Sequence, residues 1–149
     1  MMKQLILLGL VLFTVLPDLQ GTEDEGLKSL MQLINQERVK AGKKELVMSP
    51  DLMGIAWEWS YRMSKEGRLK HRKNLLELCE KHDFRFMNEN LHLNLSEFSA
   101  AKVVKSWMES PAHRRNMLED KIALMGVGYA KAGDGTVFVV FNGAAKVDP

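Results

Sequence analysis

The sequence predicts an α/β protein, a three-layer α-β-α sandwich with a C-terminal β-hairpin in the central sheet. Three observations carry this. Apolar residues recur at helical spacing through the first part of the chain. A turn signal, Gly133-Asp134-Gly135, separates two extended apolar segments near the end. The second of these, Val137-Phe138-Val139-Val140-Phe141, is apolar at every position, so both faces of that strand need covering, which places helices on both sides of the sheet.

The elements follow in order. Leu27, Leu30, Met31 and Ile34 fall at i, i+3, i+4 and i+7, an amphipathic helix that Gly42 is placed to end. Ser49-Pro50 opens the next helix, Ser as N-cap and Pro at the first helical position. Leu52, Ile55, Ala56, Trp59 and Met63 supply its buried face, and Gly67 stops it. A third helical stretch runs from about Asn74 to His82. Asn88 to Leu93 alternates polar and apolar residues, as a short strand does. Ser96 is expected to cap a helix carrying Ala100, Val103, Val104 and Trp107 on one face. Ser110-Pro111 repeats the capping device and starts a short helix through about Leu118. Ala123–Ala130 and Thr136–Asn142 form the hairpin.

The 149 residues suit a single domain, and 46% hydrophobic with 27% charged residues is ordinary globular composition. A net charge of +2 gives no electrostatic case for nucleic acid. The basic run Arg68-Leu69-Lys70-His71-Arg72-Lys73 reads as a solvated loop. Met1-Met2-Lys3-Gln4 is a positively charged start, followed by an apolar run from Leu5 to Leu16 that Pro17 breaks. As a helix this run would rise about 18 Å, too short for a bilayer core of about 30 Å. The layout is that of a secretory signal peptide over residues 1–21. An acidic linker over 22–26 and a domain over 27–145 follow, with no membrane span in the mature chain. The expected location is therefore secreted, periplasmic or extracellular. Cys79 is the one cysteine, so no internal disulfide is possible, and it reads as a half-buried small hydrophobe.

Two of the four histidines, His71 and His113, have unusual settings. His71 lies on a loop past a helix end. His113 is at the third position of the helix that Ser110 caps, where the dipole favours the neutral, metal-binding imidazole. Glu89 sits between two Asn in an extended segment, as a surface residue or as the partner of a cation. Spacing alone does not join the three.

Several segments together resemble the CAP superfamily of cysteine-rich secretory, antigen-five and pathogenesis-related proteins, whose unit is the SCP domain. They are Leu33-Ile34-Asn35-Gln36-Glu37-Arg38 with Ala41-Gly42, Leu46 to Leu52, Ala56-Trp57 and His71. Asn88-Glu89-Asn90-Leu91 is similar to the family's Gly-Glu-Asn motif. Trp107 to Leu118 is similar to the Trp-x-x-Ser-x-x-His-Arg-x-Asn-x-Leu motif of the bacterial branch, and Gly126-Val127-Gly128 leads into the last strands.

The resemblance implies an α-β-α sandwich whose central cleft gathers two His and two Glu. His71, Glu89 and His113 match three of these. The fourth position is Ser110, read here as an N-cap, and the adjacent Glu109 would point about 100° away around the helix. Asn88 stands where the family has Gly, and the disulfides of eukaryotic members are absent. One functional reading is a binding module: His71 and His113 hold zinc or another divalent cation, Glu89 orients an imidazole, and a lipid, glycan or protein ligand binds. Trp57, Met87 and Met108 are candidates for its rim, or for the core. The alternative is a metal-dependent hydrolase with Glu89 as general base. Against it stand the low ligand count, the lack of a His-Glu-x-x-His helix, and the lack of a free nucleophile, since Ser60 and Ser64 sit inside a helix. A third reading makes His71, Glu89 and His113 a polar cluster that holds the layers together.

Overall fold

The computed structural model describes residues 19–147. Residues 1–18, and with them most of the expected signal peptide, lie outside the described residues. The apolar stripes become the buried faces of helices. Helix α1 spans Leu19–Lys40, so it already contains residues 22–26, and it buries Leu30 and Ile34. Gly42, at φ 73°, turns the chain out of it in the left-handed region that glycine adopts without steric penalty. A two-residue strand β1, Val47–Met48, follows, too short to leave an alternating signal. Helix α2 spans Pro50–Glu66, with the Ser49 hydroxyl accepting from the Leu52 N–H and Gly67 closing the helix at φ 62°. Helix α3 spans Leu75–Lys81.

Strand β2, Phe84–Asn94, is longer at both ends than the alternation in Asn88–Leu93. Helix α4 spans Ala100–Glu109, and its N-cap is Ser99, whose hydroxyl accepts from the Lys102 N–H. Ser96, the expected cap, instead lies in a bend with its hydroxyl near the Asn94 carboxamide. Helix α5 spans Pro111–Met117, and the hairpin strands are β3, Leu124–Lys131, and β4, Val137–Lys146.

The sheet order is β1-β3-β4-β2, with β1 parallel to β3 and the remaining neighbours antiparallel. Central strand β4 divides its side chains as its composition required. Val137, Val139 and Phe141 join Leu30, Ile34, Val103 and Trp107 in the layer under α1 and α4. Phe138 and Val140 join Ala56, Trp59 and Met63 under α2, while Ala144 packs with Leu52, Ile55 and Phe84. Half-buried Cys79 packs beside this last cluster, and burial raises its thiol pKa.

Two glycines set how closely α2 lies on the sheet. A methyl group at Gly128 would stand 2.5 Å from the Trp57 backbone nitrogen, and one at Gly126 would overlap the Leu52–Met53 peptide. The Gly126-Val127-Gly128 pattern thus records backbone against backbone.

Candidate functional site

The site forms along the outer edge of β2. Side chains alternate across a strand, so Glu89 faces one way and its two Asn neighbours the other. Glu89 meets the loop that follows α2. Its Oε1 lies 2.9 Å from His71 Nδ1 and accepts the Arg72 backbone N–H at 3.2 Å. Its Oε2 lies 3.3 Å from Arg72 Nε, an ion contact without hydrogen-bond alignment. The Glu89 side chain is 1% exposed, the Arg72 side chain 3% and the His71 ring 61%. The imidazole is therefore held from a buried carboxylate while its far edge faces solvent.

The two Asn hold α5. Asn90 Nδ2 donates to the His113 carbonyl at 2.8 Å, and Asn88 Nδ2 donates to the Asn116 carbonyl at 3.0 Å. Asn116 Nδ2 returns bonds to the Glu89 carbonyl at 3.1 Å and to Asn90 Oδ1 at 2.9 Å. Trp107 Nε1 donates to the Leu91 carbonyl at 2.9 Å, so helix side chains occupy carbonyls on an edge that a foreign strand could otherwise pair with. The single run Asn88-Glu89-Asn90 thereby ties the His71 loop and the His113 helix to one strand.

Asn88, where the related motif has Gly, fits for a local reason. Its partner across the sheet is Gly143, whose N–H donates to Asn88 Oδ1 at 3.2 Å and whose missing side chain leaves room for the amide.

His113 is half-buried. Burial lowers its pKa, and the nearby His71 charge lowers it further, which favours neutral imidazole. His92 was not singled out in the sequence, yet it belongs to the same neighbourhood: burial and then the His113 charge lower its pKa. Strand β2 thus contacts the His71 ring through Glu89 and the backbone of His113 through Asn90.

Ser110 departs from its expected role. It occupies the N-cap position, but its hydroxyl makes no cap bond, and the helix starts through its backbone carbonyl, which accepts from Arg114. The Ser60 and Ser64 hydroxyls donate to carbonyls three residues back. Of the possible rim residues, Trp57 is exposed and stacked on Tyr61, Met87 is in the core and Met108 is partly buried.

Arg72 was not expected at the site. The basic run reads as solvated, but the Arg72 guanidinium is buried, where it meets Glu89, Glu58 and the Ile55 carbonyl. Only its place immediately after His71 could have marked it.

The donor set limits any metal. Among the described residues no three His, Cys, Asp or Glu are arranged to hold an ion. Glu89 is already engaged by His71 and Arg72. His71 Nε2 is left open by the Glu89 contact, and no closed four-ligand structural site is assembled among the described residues.

The sequence profile of the Cysteine-rich secretory protein family matches residues 31–142. The uncharacterized protein YkwD of Bacillus subtilis is 26% identical over 110 residues, 71% of this chain and 43% of that protein. The chain thus spans less than half the length of the curated relative it matches. An outer surface protein from Borrelia burgdorferi superposes with a TM-score of 0.74 at 20% identity, over 83% of this chain and 94% of that one. An extracellular SCP-domain protein from Bacillus anthracis superposes with a TM-score of 0.71 at 21% identity, over 89% of this chain and 44% of that one. A further neighbour, NaASP2, was crystallised with Zn2+; it superposes with a TM-score of 0.60 at 13% identity, covering 85% of this chain and 88% of its own. These likenesses show the shared sandwich fold.

Proposed function

The chain belongs to the cysteine-rich secretory protein (CAP) family, and from that premise we propose that it is an exported, non-catalytic binding module whose cleft holds a divalent cation or a small ligand at His71 and His113. The observation that carries the reading is the 2.9 Å contact between Glu89 Oε1 and His71 Nδ1. A carboxylate on one ring nitrogen orients the imidazole and raises the basicity of the other, as in many carboxylate–histidine–metal arrangements. With Nδ1 committed, Nε2 is the free ligand atom. His113, whose pKa is lowered by burial and then by the His71 charge, supplies the second, with Ser110 one helical turn before it.

Zinc is the cation best matched to two imidazoles and water. The hydrolase alternative, with Glu89 as general base, is weaker, because that carboxylate is buried and already bonded to His71 and Arg72. Export is supported by the charged start and apolar run of residues 1–21, together with neighbours described as extracellular or outer-surface proteins. Among the described residues no helix is long and apolar enough to cross a membrane. The larger ligand is drawn from lipids, glycans or proteins.

Calorimetric titration with zinc tests the cleft. Wild type is expected to give saturable heat, and the His71→Ala/His113→Ala variant none. Glu89→Gln, which keeps the shape and removes the charge, is expected to weaken binding about ten- to a hundredfold. No heat from folded wild type, or the same heat from the double variant, overturns the metal reading.

A further inference from the structure

Beside the Glu89–His71 pair, α2 and the 70–74 loop border a cavity of about 300 Å3. Its lining includes Trp59, Arg62, Lys70, Arg72, Lys73 and Asn74, together with His71 itself. We propose that this cavity binds a phosphate ester.

Charge distribution is the first ground. Residues 58–74 hold six Lys and Arg against two Glu, in a chain whose net charge is only +2. The remainder of the chain is therefore slightly acidic, and the net positive excess lies in this segment, four of whose six cations line the cavity.

The second ground is how the cations are held. Three of them converge on one indole. Arg72 Cζ lies 4.7 Å from the Trp59 ring centroid, Arg62 Cζ 5.4 Å and Lys70 Nζ 5.7 Å. Trp59 is itself fixed, since its Nε1 donates to the Lys70 carbonyl at 2.9 Å. Aromatic faces attract cations, but three on one ring repel each other within about a Debye length.

The local carboxylates offset this only in part. Glu58 is shared, at 3.4 Å from Arg62 Nε and 3.2 Å from Arg72 Nη1. Glu66 pairs with Lys70, and Glu89 serves Arg72 from within the fold. Lys73 has no carboxylate partner among the described residues. Glu58 and Glu66 are both substantially exposed, so their pairing is screened by water.

A bound anion relieves what remains. A tetrahedral phosphate offers several acceptor oxygens to donors that approach from different directions: the Arg62 guanidinium, the Lys70 and Lys73 ammonium groups and the Asn74 amide. A carboxylate offers two oxygens in one plane. The volume is at the small end of ligand pockets and suits one small polar molecule or one headgroup. The site needs no metal, so it stands or falls separately from the histidine cleft.

The test uses the full folded chain and two probes. One is glucose 6-phosphate, with glucose as its neutral control. The other is a phosphatidylglycerol vesicle, with a phosphatidylcholine vesicle as its control. Binding is followed by calorimetry or Trp fluorescence in wild type, Arg62→Gln/Lys73→Gln, Lys73→Glu and His113→Ala. Arg62 and Lys73 are exposed, so thermal melting should confirm that their variants fold. Saturable binding of either phosphate probe is expected, absent with its control, unchanged in His113→Ala and weakened about tenfold or more in the two cavity variants. The probe that binds more tightly identifies the source of the ester, soluble or lipid. No saturable binding of either probe, or binding that the cavity variants leave unchanged, overturns the proposal.

Discussion

Among the described residues two arginines are buried, and they are held in opposite ways. Arg38, at the end of α1, meets only backbone carbonyls: its Nε donates to Lys44 at 2.8 Å, and its Nη1 to Met117 at 2.7 Å and to Glu119 at 3.1 Å. Burial lowers its pKa, only partly offset by Asp120 and then Glu119. Arg72 meets carboxylates, Glu89 within the fold and Glu58 at its surface. Arg38 joins α1, the following loop and the end of α5, so it fixes architecture through neutral acceptors. Arg72 balances the charge on which the histidine cleft is built. The difference shows that a buried cation can serve as a mechanical tie or as a counter-ion, and that its acceptors decide which.

The largest expected effect follows from the counter-ion. Arg72→Met leaves Glu89 as a buried carboxylate without its arginine, and breaking such a pair costs about 4 kcal/mol. Urea unfolding should show this loss. The second variant, Arg72→Met/Glu89→Gln, should recover a large part of it, because the stranded charge is gone. If the double variant is no more stable than the single one, Arg72 acts through packing and the contrast between the arginines fails.

Arg38→Met should cost less, about 2–3 kcal/mol, because carbonyls left without a donor are neutral and can take up water. No single side-chain change at a partner should rescue it, since every partner is backbone. Its loss should also leave zinc titration at the cleft unchanged.

The smallest effect separates the two regions by pH. His92 and His113 have pKa values below their ordinary 6.5, through burial first and then a neighbouring histidine charge. As pH falls below about 6.5 the unfolded chain takes up protons before the folded one does. The stability these groups contribute is therefore complete above that value and is lost as pH drops through their lowered folded values. Unfolding with a chelator present should show this decline in wild type and in Arg38→Met alike, and a shallower one in His92→Gln/His113→Gln. An equal slope in all three proteins would place the acid sensitivity elsewhere.

Much of the fold was legible along the chain. Ser49-Pro50 and Gly67 mark the ends of α2 because capping is a local matter of backbone dihedrals and one hydroxyl. The run Val137 to Phe141 announced a strand covered on both faces because its residues had no polar side to offer water. Legibility failed where the partner was remote. Ser96 and Ser99 are equally good caps in sequence, and only the start of α4 chooses Ser99. The strand β1 is two residues long and exists because β3 lies beside it. Asn35 shows the same limit. Its amide accepts from the Leu46 N–H at 2.8 Å and donates to the Leu46 carbonyl at 3.0 Å, standing in for a strand neighbour at the sheet edge.

The sequence by itself determined the α/β class, the helix limits set by caps and glycines, and the two-sided burial of β4, all consequences of short-range stereochemistry and hydrophobic period. Its motifs named His71, Glu89 and His113, but spacing could not join residues that lie far apart in the chain. Only the tertiary structure decided that Asn88-Glu89-Asn90 serves two segments at once, one from each face of the strand. It also buried one arginine of a basic run and brought it, Lys70 of the same run and Arg62 of α2 over a common tryptophan. Those outcomes depend on which charges and carbonyls meet across the fold, and electrostatic pairing at a distance of a few ångströms leaves no periodic trace in a linear chain.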